Sequence, residues 1–351
     1  MSPPVETRVA LVGFGKAGAQ IHAPLIDAVQ GLALTHVVTS DATRAADARA
    51  RFPGVRVLDS VEKLLSVRED FDTLVVAAPN AQHASICKAF LRAGVPTVVD
   101  KPLARTHREG ASLLELAMSS DVPFSVFHNR RWDTDFRTLS SLIANGELGQ
   151  VVRWESRFER WRPEPKAGWR ETSSPEDGGG LLLDLLTHLI DQALVVLGPA
   201  ATVYAELSQV RPGVAAEDDV MVALRHLSGA HSTMWASMVA GRPGPRFRVL
   251  GTQAAYVKEP LDWQEAALSS RSAEALTRRA PPEEGGVLIA GEDRRPNTPA
   301  DGSWLDFYAG WVRTLRDGAP PPVDPIDALH VLRITDAARD SAREHRVIRL
   351  A

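Results

Sequence analysis

Apolar positions along the chain change rhythm about a third of the way through. Up to about residue 124, short uninterrupted runs of Val, Leu and Ala alternate with stretches of helical spacing. That is the order expected of a parallel sheet covered on both faces by βαβ crossovers. The pattern predicts strands over 8–12, 34–39, 55–58, 73–77 and 96–99, and helices over 17–29, 42–51, 61–65 and 81–93. Beyond that point the strands alternate apolar and polar residues, over 151–162, 220–227 and 231–238, with Ser228-Gly229-Ala230 as a hairpin turn. One long apolar helix over 181–197 interrupts them and stops at Gly198-Pro199. Residues 281–303, rich in Pro, Gly and acids, read as a surface excursion. A helix over 325–344 carries Ile326, Leu329, Leu332 and Ala337 at helical spacing and needs a partner surface. The expected fold is therefore an α/β N-terminal domain with a parallel sheet, residues 1–124, followed by an α/β C-terminal domain with a mostly antiparallel open sheet, residues 125–351.

Composition changes this picture little. The length of 351 residues suits two domains, and 44% hydrophobic with 24% charged residues is an ordinary globular balance. A net charge of −4, from 40 basic and 44 acidic residues, gives no electrostatic footprint for nucleic acid or an anionic membrane. A small neutral or anionic ligand is the better expectation. The single cysteine, Cys87, excludes an intramolecular disulfide and multi-cysteine metal sites. The polar start of the chain has no apolar leader run and no stretch is of membrane-spanning length, so a cytoplasmic location is expected.

Candidate chemistry gathers at the predicted strand ends. Gly13-Phe14-Gly15-Lys16-Ala17-Gly18 follows the first strand and opens a helix. There the first glycine allows a tight turn, the second lets a pyrophosphate approach the backbone, and the third lets helix and strand pack closely. At the end of the second strand stand Thr39, Ser40 and Asp41. With Ser40 facing the adenosine ribose, a 2′-phosphate is accommodated and Asp41 caps the next helix, which favours NADP. One residue later in register, Asp41 reads the ribose and NAD is the cofactor. Ala78-Pro79-Asn80 and Asp100-Lys101-Pro102 end later parallel strands, where open α/β sheets bind ligands. In the second half, Gly178-Gly179-Gly180 precedes Asp184 and His188, four residues apart and so on one helix face. No cluster has metal-ligand spacing, and none is expected.

Taken together these residues resemble the Gfo/Idh/MocA family of nicotinamide-dependent oxidoreductases. The resemblance rests on the glycine loop, Ala78-Pro79-Asn80 with His83, Asp100-Lys101-Pro102-Leu103, and Asp184 with His188. The string from Phe127 to Asp133 and Arg160-Trp161-Arg162-Pro163 are similar to the branch holding YdgJ-type oxidoreductases and NADP-dependent scyllo-inositol dehydrogenases. The resemblance implies a Rossmann domain, a second domain whose open sheet forms a homodimer or homotetramer, and a last helix returning to the Rossmann domain. It implies Lys101, Asp184 and His188 as the catalytic set. Asn129 and Arg130 face the nicotinamide or substrate in that reading, or form a structural turn. Cofactor contacts then fall on Gly13, Phe14, Gly15, Lys16, Ala17, Gly18, Thr39, Ser40, Asp41, Ala78, Pro79, Asn80, His83, Lys101, Pro102 and Asn129.

The chemistry fits, since oxidising a secondary alcohol needs a base titrating near neutrality, His188, and a donor for the developing alkoxide, Lys101. Leu186, between Asp184 and His188, is larger than its counterpart in many relatives and is expected to narrow the space beside the nicotinamide. Arg160, Arg162, Trp169 and Arg170 are the candidates for a polyhydroxylated substrate, a cyclic polyol or sugar with scyllo-inositol leading. Arg153 and Arg157 read as a solvated strand face shared with Glu155 and Glu159. Two alternatives stand beside a dehydrogenase: an epimerase or glycosidase with retained cofactor, and a dinucleotide-sensing regulatory protein.

Overall fold

The computed structural model describes residues 6–166, 168–259, 261–268 and 280–350. These divide into two compact units. The first holds 6–129, 264–268 and 303–329, and the remaining described residues form the second.

In the first unit, β1 (Thr7–Val12) leads through the glycine loop into a π-helical turn, Gly18–His22, and α1 (Ala23–Ala28). There follow β2 (Leu32–Val38), α2 (Ala42–Arg51), β3 (Arg56–Leu58), α3 (Val61–Leu65), β4 (Thr73–Val76), α4 (Asn80–Arg92), β5 (Thr97–Asp100), α5 (His107–Ser120) and β6 (Phe124–Phe127). All neighbouring strands are parallel, in the order β3-β2-β1-β4-β5-β6. Every residue of β4, β5 and β6 is buried, which is why these strands read as unbroken apolar runs. The order reverses between β1 and β4, and their carboxyl ends carry the glycine loop and Ala77-Ala78-Pro79.

The second unit begins with α6 (Thr134–Ala144) and β7 (Val151–Glu159), followed by α7 (Trp169–Thr172). A second π-helical turn, Leu182–Leu186, runs into α8 (Thr187–Leu197). Strands β8 (Ala200–Ser208), β9 (Asp219–His226), β10 (His231–Ser237), β11 (Phe247–Gly251) and β12 (Ala255–Lys258) come next. Helix α9 (Gln264–Leu268) returns to the first unit. After it come β13 (Val287–Ala290), β14 (Asp293–Pro296), α10 (Leu305–Asp317), α11 (Pro325–Glu344) and β15 (Ile348–Arg349). The sheet order is β14-β13-β12-β11-β7-β10-β9-β8-β15, antiparallel except for the β7/β10 pair. Its apolar face packs on α6 and on the Leu181–Leu197 stretch, with Trp154, Phe158, Leu186, Leu189 and Met234 in the core.

One expectation is corrected. Residues 281–303 are not a bare excursion: β13 and β14 extend the second sheet as an edge hairpin. All four residues of β14, Asp293 to Pro296, are exposed, so that strand lacks the alternation that would have revealed it. The last helix divides. Its first turn groups with the first unit, whereas Val331, Ile334, Ala337 and Ala338 lie in the core of the second. Helix α10 lies wholly within the first unit, where its Trp311 donates the indole N–H to Thr73 Oγ1 at 3.1 Å.

Candidate active site

The glycine loop has a distinct physical reason at each glycine. Gly13 has φ +95°, and a Cβ there would strike the Ala77 carbonyl, the next strand end. A Cβ on Gly18 would overlap the Gly13 carbonyl oxygen, so only glycine lets the helix start this close to β1. Gly15 is open: among the described residues, the only atom within 4 Å of its missing Cβ is Arg44 Nη1, at 3.9 Å. Close packing at two positions and open backbone at the middle one are what a pyrophosphate at a helix start requires. The Phe14 side chain is buried edge-on against Phe52 with centroids 6.3 Å apart, leaving its backbone for a ligand. Lys16 is exposed and pairs with Glu265 at 3.4 Å.

At the end of β2, Asp41 is turned into the helix start. Its Oδ1 accepts the Arg44 backbone N–H at 2.9 Å, and this bond holds its carboxyl below the usual range. Thr39 Oγ1 accepts the Asp41 N–H at 3.4 Å. Arg44 was not singled out in the sequence, yet it brings a guanidinium beside both Gly15 and Asp41.

His83 links the two later strand ends. Its Nδ1 lies 2.8 Å from the Pro102 carbonyl oxygen and its Nε2 2.9 Å from that of Ala78. Burial, the largest influence, pulls its pKa down, while each ring nitrogen faces a carbonyl oxygen to which only a ring N–H can donate. Its part is therefore to brace the loops around Asn80 and Lys101. Asn80 and Asn129 are buried, and Lys101 is partly exposed at the end of β5. The Asp100 carboxylate accepts the Lys101 backbone N–H at 2.8 Å.

In the second unit, Asp184 lies in the π-helical turn and His188 in the first turn of α8, the ring edge-on to Phe158 with centroids 6.2 Å apart. The start of this helical run is capped by Glu217. That side chain accepts the Leu182 N–H at 3.2 Å, and its main-chain oxygen accepts the Leu181 N–H at 3.0 Å. Burial raises the Glu217 carboxyl above its usual range. Gly180, at φ +89°, is required because a Cβ would run into that carboxylate. Leu186 is wholly buried in the hydrophobic core of the second unit.

The arginine-rich stretch separates into two classes. Arg130 pairs with Asp133 at 3.1 Å over the Phe158 ring, and Arg131 grips Asp191 bidentately at 2.9 and 2.6 Å, so both have structural employment. Arg157 pairs with Glu155 at 3.0 Å and stacks on Trp235, as a strand-face residue should. Arg160, Arg162 and Trp169 are partly exposed, while the Arg170 side chain lies outside the described residues. Buried Arg211 anchors this region: it donates to the Arg162 carbonyl at 3.1 Å and pairs with Glu171 at 2.6 Å and Asp218 at 2.7 Å. Nothing local in the sequence signals that role, because its partners lie 7 to 49 residues away. Among the described residues no cluster of His, Cys, Asp or Glu can hold a metal ion, and no helix is long and apolar enough to cross a membrane.

Known proteins share this sequence pattern and fold. Residues 7–128 match the family described as "Oxidoreductase family, NAD-binding Rossmann fold", and residues 136–257 match "GFO/IDH/MocA C-terminal domain". The uncharacterized oxidoreductase YdgJ of Escherichia coli (strain K12) is 35% identical, over 98% of this chain and 99% of that protein. The scyllo-inositol 2-dehydrogenase (NADP(+)) IolW of Bacillus subtilis (strain 168) is 31% identical, over 98% of this chain and 96% of that one. The solved structure of the oxidoreductase yvaA from Bacillus subtilis superposes with a TM-score of 0.90 at 31% identity, covering 99% of both chains. With both halves matched and relatives aligned over nearly the whole length, the chain belongs to the Gfo/Idh/MocA family of oxidoreductases, as a nicotinamide-dependent dehydrogenase acting on CH–OH groups.

Proposed function

We propose that this protein is an NADP-dependent dehydrogenase that oxidises a secondary hydroxyl of a cyclic polyol or sugar, with scyllo-inositol as the leading substrate. The observation that carries the cofactor assignment is the capping of α2 by Asp41. A carboxylate committed to the Arg44 N–H does not take up the ribose hydroxyls as an NAD-selecting acid does. Ser40 and the Arg44 guanidinium then receive the 2′-phosphate, and the open backbone at Gly15 receives the pyrophosphate. The name of the IolW relative, an NADP-linked scyllo-inositol dehydrogenase, supports both halves of the reading.

Nicotinamide, when bound, supplies the carbon that takes up hydride. His188 removes the hydroxyl proton, Lys101 donates a hydrogen bond to the same oxygen as its negative charge develops, and Asp184 orients the substrate. Arg160, Arg162 and Trp169 contact the remaining hydroxyls, and Arg211 holds the Arg162 carbonyl. The protein acts in the cytoplasm as a homodimer or homotetramer joined through the second sheet. The test is a panel of inositols and aldoses with purified protein, NADP and NAD, at neutral to alkaline pH. Reduction with a polyol, at higher kcat/KM for NADP than NAD, supports the reading; no reduced nicotinamide from any of them overturns it.

A further inference from the structure

Behind Lys101 the first unit holds a buried chain of polar groups to which the reaction above assigns no task. His22, wholly buried at the end of the π-helical turn, places Nδ1 2.6 Å from the Tyr308 hydroxyl on α10. Its Nε2 lies 3.8 Å from Asp100 Oδ2 and has no hydrogen-bond partner, although it is fully shielded from water. Asp100 Oδ1 in turn accepts the Lys101 backbone N–H. Phe127 packs on both rings, at 4.4 Å from the imidazole and 5.7 Å from the phenol, and Phe307 closes the far side of Phe127 at 4.8 Å. The chain therefore lies in apolar surroundings, where an unsatisfied polar atom is costly and a satisfied one is held firmly.

The protonation states follow from the surroundings. Burial, then the charge of Asp100, keeps Tyr308 far above its usual ionisation range, so its hydroxyl is a permanent donor. An O–H donated to Nδ1 leaves the imidazole proton on Nε2, on the side of Asp100. Burial alone would raise the Asp100 carboxyl, but His22, followed by the charges of Lys101 and His83, more than offsets this and holds it below the usual carboxylate range. Among the described residues, His22, Tyr308, Lys101 and His83 are the titratable groups whose interaction with Asp100 sets its charge state or theirs.

We propose that His22 and Tyr308 are positioning residues of the reaction: Tyr308 sets the tautomer of His22, His22 holds Asp100 through Nε2–H, and Asp100 fixes the Lys101 backbone and supplies a negative charge beside it. The 3.8 Å contact is the adjustable member of the chain, of the kind that shortens when a site is filled. The inference rests on the catalytic reading of Lys101.

The experiment compares wild type with His22→Leu, His22→Gln and Tyr308→Phe. It follows kcat and KM across about pH 6 to 9, cofactor Kd, and the 13C-carboxyl shift of Asp100 assigned by the Asp100→Asn spectrum. In His22→Leu the Asp100 carboxyl titrates at higher pH, and kcat/KM gains an additional acid limb of unit slope there, with cofactor Kd changed less than about threefold. His22→Gln, whose amide N–H again reaches the carboxylate, restores both. Tyr308→Phe keeps the ring packing, moves the imidazole 15N shifts toward a mixed tautomer, and lowers kcat without raising KM. An Asp100 titration unmoved by His22→Leu overturns the proposal, as does a loss uniform in pH that Gln does not restore. A wild type that turns over no polyol while the carboxyl titration moves as stated sinks the catalytic reading of Lys101 and leaves the His22–Asp100 contact established.

Discussion

Replacing Arg211 with Met removes the cation that ties three separate segments of the second unit together. Its side chain and that of Asp218 are each only 3% exposed, and their pair, at 2.7 Å, is thus desolvated on both sides. Burial opposes the charge on Arg211, but the hydrogen bonds it donates to Asp218 and Glu171 outweigh it and raise its pKa, so the guanidinium is charged in the folded protein. Leaving one member of such a pair behind costs about 3–5 kcal/mol. Asp218 keeps two backbone donors, Val210 N–H at 2.7 Å and residue 211 N–H at 3.1 Å, which places the cost near the lower end. Glu171 is 20% exposed and turns into water at little cost. The expected loss is about 3 kcal/mol, a fall in urea midpoint of about 1–2 M at unchanged slope. Arg211→Lys, which cannot reach both carboxylates, loses about 1–2 kcal/mol. Adding Asp218→Asn to Arg211→Met recovers about 1–2 kcal/mol, because no orphaned charge remains. Since Arg211 also holds the Arg162 carbonyl, KM for the polyol rises while cofactor Kd stays constant. A single-variant loss under about 1 kcal/mol, or a further loss on adding Asn, refutes the reasoning.

Other outcomes follow from the same geometry. Arg44→Ala raises KM for NADP about tenfold or more and leaves that for NAD within about threefold, measured by initial rates; an equal effect on both removes the 2′-phosphate role. Gly15→Val abolishes cofactor binding without lowering the midpoint of unfolding, whereas Gly18→Ala destabilises the fold, because open space adjoins the first and a carbonyl oxygen the second; calorimetry with and without cofactor separates the two. Buried Glu284, 3.2 Å from Lys258, has its carboxyl pushed up to about 7 by burial, against 4.5 when solvated. Between about pH 4.5 and 7 the unfolded chain has therefore already lost a proton that the folded chain keeps, and stability falls as pH rises through this window. Glu284→Gln flattens that slope in denaturation series taken across it, and an unchanged slope contradicts the assignment.

Legibility in the sequence followed burial. The parallel strands were plain because both faces are covered, and α2 and α3 span the expected 42–51 and 61–65, with Asp41 and Ser60 found as their N-caps. The glycine loop was readable because its three glycines keep a fixed spacing directly after an apolar strand, even though the clash that requires Gly13 comes from Ala77 on the next strand. The hairpin of β13 and β14 escaped because its outer strand, Asp293 to Pro296, is a polar edge. The π-helical turn at Leu182–Leu186 was read as plain α-helix, since a segment apolar on most sides carries no sign of its winding. Arg44, Glu217, Arg211 and His22 were missed for a different reason. A lone charged or imidazole side chain in a helix or loop says nothing until the fold supplies its partner, and for Arg211 and His22 those partners stand up to 49 and 286 residues away.

The central claim is tested most directly by following the absorbance of reduced nicotinamide when wild type, Lys101→Ala and His188→Ala are mixed with scyllo-inositol and NADP. The account predicts steady reduction by wild type, loss of at least about a hundredfold in kcat for each variant, and cofactor affinity within about threefold of wild type in both. Undiminished turnover in either variant, or loss of cofactor binding in place of turnover, contradicts it.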